Sequence, residues 1–439
     1  MANGEWRIKF RYARYKNMQF QNNLSFAQQL DDQDELKSFR DRFIIPNIDG
    51  KQQIYFLGNS LGLQPESTEN ALKEILYQWA TYGVEGFFMG TSPWLKYHDE
   101  LIEPLAAIVG AKPSEVVVMN QLTVNLHLMM VSFYRPVGKR KKIICEAKAF
   151  PSDQYMFESH LKHYGFNPEE TLIEVSPRNG EHTIHTEDIL AAIDQHKDEL
   201  ALVFWGGLNY YSGQVFDMKA ITEAAQNVGA KVGFDLAHAA GNIPLELHDW
   251  NADFACWCSY KYLNSGPGAV GGVYIHERYH RDPSITRYAG WWGYEKETRF
   301  RMEKGFKPVQ SAEGWQLSTP SLLLYASHKA SLEIFAEAGM EKLHAKRKLL
   351  NNYLWFILDD VNNSSSKKIM EFITPRNEDE RGCQVSILML EKGKAIYEGL
   401  MKAGIIVDWR EPNVIRLAPV PLYNSFEEVW QFGQVLSSL

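Results

Sequence analysis

Asp235, His238 and Lys261 fall within one stretch, FDLAHAAGNIPLELHDWNADFACWCSYKYLNSGPGAVGGV, and each stands just after an apolar run. AKVGF ends in Asp235, and ADFACWCS leads into Tyr260 and Lys261, with glycines close behind. An acid, an imidazole and a lysine at strand ends suit a pyridoxal phosphate site. The lysine holds the cofactor's aldehyde as an imine, and the carboxylate keeps the pyridine nitrogen protonated, so the ring can accept electrons. Glycines let backbone approach a flat ligand.

Each residue also has a plainer reading. Asp235 can cap a helix starting at Leu236, which leaves His238 in a core. Asp235 and His238 can begin a metal site, but no further His or Cys stands at a familiar spacing, so no metal is expected. A lysine is ordinarily a surface residue, although the apolar run before Lys261 argues against that here. Gly266, Gly268 and Gly271 match the dinucleotide fingerprint formally, but GGVYIH after them reads as a strand and not as the helix that fingerprint must open.

The surrounding elements place more residues at strand ends. Val116–Met119 reads as a strand, and Leu122 and Thr123 open the next helix, whose free N–H groups suit a phosphate; Thr123 is equally an ordinary N-cap. The strand from Lys142 to Cys145 leads to Phe150, Pro151, Ser152 and Asp153. Phe150 can stack on a pyridine ring, or staple a helix capped by Ser152. IYFLGNSLGLQP gives a strand and a polar turn with Asn59 and Ser60, a turn that can meet a ligand carboxylate. Phe87, Phe88 and Trp94 follow, as pocket wall or core. Trp291 sits in a glycine-flanked loop, and Ser318 and Thr319 precede a helical region running to about Val361. Arg416 interrupts the apolar run VIRLAPV and needs a carboxylate partner, which a structural ion pair or a substrate can supply.

From Leu172 to Phe234 strands alternate with helices, the pattern of a parallel sheet with right-handed crossovers. Ligands of such sheets bind outside the carboxyl ends of the strands, where Leu122, Phe150, Gly206, Asp235 and Lys261 all fall. The fold class is α/β: a large domain with a mainly parallel sheet and helices on both faces, then a smaller α+β unit. The expected division is 1–50 as an N-terminal helical arm, 51–325 as the large cofactor-binding domain and 326–439 as the small domain.

Composition narrows the classes. The chain has 439 residues, enough for a substantial core, and a net charge of −8, which disfavours nonspecific nucleic-acid binding. Cys145, Cys256, Cys258 and Cys383 lie in apolar or strand-like surroundings, which favours a reducing compartment. No apolar run reaches membrane-spanning length, and the basic start, MANGEWRIKFRYARYKN, lacks a secretory core. A cytoplasmic location is expected.

Long runs now carry a family resemblance: FLGNSLGLQP, GFDLAHAAGNIPLELHDW, DFACWCSYKYLN, SHKASLEIF and RLAPVPLYNSF. Together they closely resemble kynureninases, fold-type-I pyridoxal phosphate enzymes, over nearly the whole chain. The resemblance implies a homodimer with shared active sites. Its reaction would be hydrolytic β,γ carbon–carbon cleavage of L-kynurenine, or its 3-hydroxy form, to anthranilate or 3-hydroxyanthranilate and L-alanine. That places it in tryptophan catabolism or NAD biosynthesis. By position it makes Lys261 the Schiff-base lysine, with Asp235 and His238 at the ring, Phe150 stacked on it and Asp153 beside it. Leu122, Thr123 and Tyr260 would bind the phosphate, with Tyr260 also placed for proton transfer. Trp291 and Thr319 would reach the neighbouring subunit's phosphate, and Arg416 would clamp the substrate carboxylate. Asn59, Ser60 and Ser318 join the expected substrate contacts, and Pro151 and Ser152 the cofactor contacts. The rivals are a cysteine desulfurase or aminotransferase of the same fold, and a non-catalytic cofactor-binding protein.

Overall fold

The computed structural model describes residues 18–439, so the first 17 residues of the expected arm lie outside the described part. Seven strands form the main sheet: β1 (Val116–Val118), β2 (Lys142–Glu146), β3 (Leu172–Val175), β4 (Leu200–Gly206), β5 (Lys231–Asp235), β6 (Phe254–Cys258) and β7 (Gly271–Ile275). Their spatial order is β1-β7-β6-β5-β4-β2-β3. VVV, FACWC and GGVYI are buried at every position, as in sheets covered on both faces. The strands pair in parallel except β7, which runs against both β6 and β1. Residues 259–270 hold no helix, so the chain turns back beside β6 instead of crossing over.

Four helices make the crossovers: α1 (Leu122–Phe133), α2 (Pro151–His163), α3 (Thr186–Gln195) and α4 (Met218–Asn227). Three local expectations need correction. Thr123 does not cap α1; Gln121 precedes the helix and supplies no capping bond. Ser152 does not cap α2 either, because Pro151, whose fixed φ suits the first helical position, makes Phe150 the cap residue. No helix starts at Leu236; Asp235 Oδ1 accepts from the Ala237 N–H at 2.7 Å and starts a turn instead.

The helical region expected up to about Val361 consists of two helices, α5 (Leu322–Ala338) and α6 (Met340–Ser364), separated by Gly339 at φ 78°. A left-handed residue ends the first helix. Beyond α6, β8 (Met370–Phe372), β9 (Val385–Met389), β10 (Asp408–Arg410) and β11 (Val414–Leu417) form an antiparallel sheet of order β8-β9-β11-β10. It packs with the closing helix Phe426–Ser438 around Tyr353, Leu358, Ile387, Leu417 and Phe432, and Ala27 and Leu30 of the N-terminal arm join that core. We propose the division 1–50, 51–325 and 326–439, whose second boundary falls within α5. Leu332, Ile334 and Phe335 of α5 nevertheless pack on the large core with Trp205 and Trp257.

Candidate active site

The carboxyl ends of the parallel strands open into a cleft enclosing about 710 Å³ of empty space, counting its open mouth. Its wall includes Leu122 and Thr123 after β1, Glu146 at the end of β2, Gly206 at the end of β4, Asp235 at the end of β5, and Tyr260 and Lys261 after β6. Phe150, Ser152, Asp153 and His238 complete the expected set on this wall. Pro151 stands between two wall residues as the first residue of α2.

Lys261 is only 9% exposed, and its Nζ lies 3.1 Å from His238 Nε2. The same ammonium sits 5.8 Å from the Phe150 ring centre and 5.7 Å from that of Tyr260. Burial pushes the His238 imidazole well below its usual pKa, with the Lys261 charge adding to the effect. His238 Nδ1 is buried without a hydrogen-bond partner.

Three carboxyl groups share the floor. Asp153 and Asp235 are in hydrogen-bond contact, and burial raises both, Asp153 most strongly. Burial also pushes Glu146 up to about 7, against a 2.8 Å hydrogen bond from Asn209 Nδ2. Buried acids of like charge hold protons unless a cation arrives. The pyridinium nitrogen of pyridoxal phosphate is such a cation.

The residues fit that cofactor on further counts. The start of α1 offers N–H groups that no side chain caps, and these suit a phosphate. Gly206 leaves room beside Glu146: a Cβ there would stand 2.7 Å from Glu146 Oε1. Phe150 is 42% exposed on the cleft wall, and Tyr210 meets its ring edge-on at 5.2 Å.

Other expected residues lie off this wall. Asn59 is buried and donates through Nδ2 to Gln384 Oε1 at 2.9 Å. Ser60 is exposed, as are Trp291, Ser318 and Thr319. Arg416 is buried behind Tyr210, donating to the Tyr210 carbonyl and to Asp408. Trp94 and Phe87 pack edge-to-face at 5.2 Å, with Trp94 in the core, whereas Phe88 is exposed. Sequence reasoning missed Glu146 and Tyr210. Glu146 carried a readable signal, an acid closing the apolar run IIC; Tyr210 carried none.

A family model described as the kynureninase C-terminal domain matches residues 343–436. A kynureninase of Flavobacterium psychrophilum is 58% identical over 419 residues, 95% of this chain and 98% of the relative. A kynureninase of Myxococcus xanthus is 50% identical over 95% of this chain and 97% of its own. The chain belongs to the kynureninase family. Among solved structures, the Escherichia coli cysteine desulfurase CsdA superposes with a TM-score of 0.73 at 14% identity, covering 92% of this chain and 98% of that one. At that identity the likeness extends to the fold alone, which is that of fold-type-I pyridoxal phosphate enzymes. Kynureninases share this sheet with desulfurases, but the cysteines separate the two chemistries here. A desulfurase needs a reachable thiol, and Cys145, Cys256, Cys258 and Cys383 are all buried.

Proposed function

We propose that this chain hydrolyses the β,γ carbon–carbon bond of L-kynurenine, or of its 3-hydroxy form, giving the anthranilate and L-alanine. The observation that carries this reading is Lys261 Nζ, held beside His238 in a cleft whose floor is Asp153 and Asp235. Pyridoxal phosphate supplies an aldehyde that takes the substrate amine and a ring that draws off the electrons of a broken Cα–H bond.

The side chains divide the remaining work. The N–H groups at the start of α1, with Thr123 and Tyr260, hold the phosphate. Phe150 covers one ring face. Asp235 keeps a proton on the pyridine nitrogen, and Asp153 keeps Asp235 in place. Lys261 would hold the cofactor's aldehyde, and its amine is the base placed to take the α-proton from the substrate. Burial raises the Tyr260 phenol above its ordinary pKa, so it stays protonated, and it is our candidate donor to the β-carbon as the aryl group departs. Arg416 binds the substrate carboxylate.

We also propose a homodimer that shares its sites. Trp291 (47% exposed) and Phe300 meet at 5.8 Å, and Phe300 and Phe88 at 6.0 Å, forming an exposed aromatic face. The Trp292 N–H donates to Leu317 at 3.1 Å, which brings this face beside Ser318 and Thr319. A second copy covering it would receive Trp291 and Thr319 at its phosphate. No helix among the described residues is long and apolar enough to cross a membrane, and we place the protein in the cytoplasm.

The reading is tested by adding L-kynurenine or its 3-hydroxy form to the cofactor-loaded protein and following aryl-product fluorescence together with alanine. Equimolar release of both products supports it. A loaded protein that releases neither product refutes it.

A further inference from the structure

The small sheet carries a row of side chains of which the scheme above uses only Arg416. Its register sets Ser386 of β9 opposite Arg416 of β11, and Arg416 opposite Asp408 of β10. Directly paired residues present side chains to the same face, so the three stand in line across the sheet. This row grips the loop that forms one wall of the cleft. Ser386 Oγ donates to the Tyr211 carbonyl at 2.6 Å, and Arg416 Nη1 donates to the Tyr210 carbonyl. Tyr210 is a wall residue in edge contact with Phe150.

Arg416 is only 1% exposed, and a buried guanidinium requires partners. Asp408 Oδ2 supplies them on one side, accepting from Arg416 Nε at 2.7 Å and from Arg416 Nη2. The same oxygen accepts from Arg410 Nε at 2.9 Å. Asp408 thus takes two of the five N–H groups of Arg416 and Tyr210 takes one. One N–H on each terminal nitrogen remains beyond these bonds, the number that a carboxylate takes in a bidentate pair. One carboxylate also faces two guanidiniums, so the trio keeps a single positive charge for an anion to meet.

We propose that Asp408 is a positioning residue for substrate recognition: it fixes the inner edge of Arg416 so that the outer edge is presented to the substrate's α-carboxylate, while Arg410 preserves the positive charge. This rests on the kynurenine-cleaving reading, because only there does Arg416 meet substrate. The competing arrangement is an Asp408 that occupies Arg416 and must be displaced by substrate. The two make opposite predictions. Removing a positioning group weakens substrate binding, whereas removing a competitor strengthens it.

The experiment compares Asp408→Asn and Asp408→Glu with the unmodified cofactor-loaded enzyme. KM and kcat for L-kynurenine are measured, with spectroscopic binding of the decarboxylated amine analogue of kynurenine, which lacks the carboxylate. The expected result for Asp408→Asn is a KM raised about tenfold with kcat lowered less than about threefold, and an unchanged affinity for the analogue. Asp408→Glu should recover part of the KM. A KM for Asp408→Asn that falls or stays within about twofold overturns the proposal, as does an equal loss of analogue affinity. If Asp408→Asn does not fold, Arg410→Gln decides: KM for L-kynurenine should rise severalfold at full cofactor content, and an unchanged KM overturns the proposal. Failure of the unmodified enzyme to cleave L-kynurenine instead refutes the functional reading on which the proposal rests.

Discussion

Lys261 Nζ lies 3.1 Å from His238 Nε2, and both side chains are buried. An ammonium in such a place is usually matched by a carboxylate; here its hydrogen-bond partner is an imidazole. The other ring nitrogen, His238 Nδ1, is buried without a partner. Burial holds the imidazole neutral, so it cannot take a second proton and repel the lysine. The pair therefore leaves one amine without a carboxylate hydrogen-bond partner and one ring nitrogen unsatisfied on the same wall, both of which a bound cofactor and substrate would engage.

Asp235→Asn removes the charge that faces the pyridine nitrogen and keeps the side chain's size. Exchange of the α-proton of L-alanine in deuterated water, followed by NMR, should slow by about 10²-fold or more. Cofactor affinity should fall by less than about tenfold. Loss of cofactor with normal exchange in the loaded fraction would show that Asp235 anchors the cofactor and nothing more.

Gly62→Ala tests how the N-terminal loop holds the lysine turn. A Cβ at Gly62 would stand 2.3 Å from the Lys261 carbonyl oxygen and 2.3 Å from Asn264 Oδ1, while the Gly62 N–H donates to the Tyr260 carbonyl at 2.7 Å. Overpacking of this kind costs about 1–3 kcal/mol. The denaturation midpoint should fall accordingly, with reduced visible absorbance per chain. An unchanged midpoint and full cofactor content would show that the loop yields freely.

His328 gives the folded chain a dependence on acid. It is fully buried, its Nδ1 lies 2.7 Å from Ser265 Oγ, and burial pushes its pKa down to about 3 from 6.5. The unfolded chain therefore binds the proton first. The stability this neutral histidine contributes is complete above pH 6.5 and is lost as pH falls toward 3, by about 1.4 kcal/mol per pH unit. Glu146, pushed up to about 7, acts with the opposite sign between its ordinary 4.5 and 7, so the comparison must be with a variant. Urea unfolding between pH 7.5 and 5 should show a shallower fall for His328→Asn than for the unmodified chain, by about 2 kcal/mol at pH 5. Parallel curves would contradict the assignment.

Much of the cleft was legible because strand-end placement is a local property. Asp235, Phe150, Leu122 and Lys261 each follow an apolar run, and a parallel sheet gathers such positions at one edge. Glu146 satisfies the same criterion and went unread only because no role called for a third acid. Tyr210 was not legible: its carbonyl is held by Gln384 at 3.0 Å and by Arg416, partners remote in sequence. The partner of Arg416 was left open between a structural ion pair and substrate for the same reason: Asp408 faces it only through cross-strand register, a long-range fact. The reversal of β7 also escaped, because a strand's run of apolar residues carries no direction.

The central claim is that Lys261 is the amine bonded to the cofactor. Borohydride reduction of the loaded protein, followed by peptide mapping by mass spectrometry, tests it most directly. The account predicts a single phosphopyridoxyl group, on Lys261, absent from Lys261→Ala together with turnover. A label on any other lysine, or a Lys261→Ala protein that keeps full activity, would contradict it.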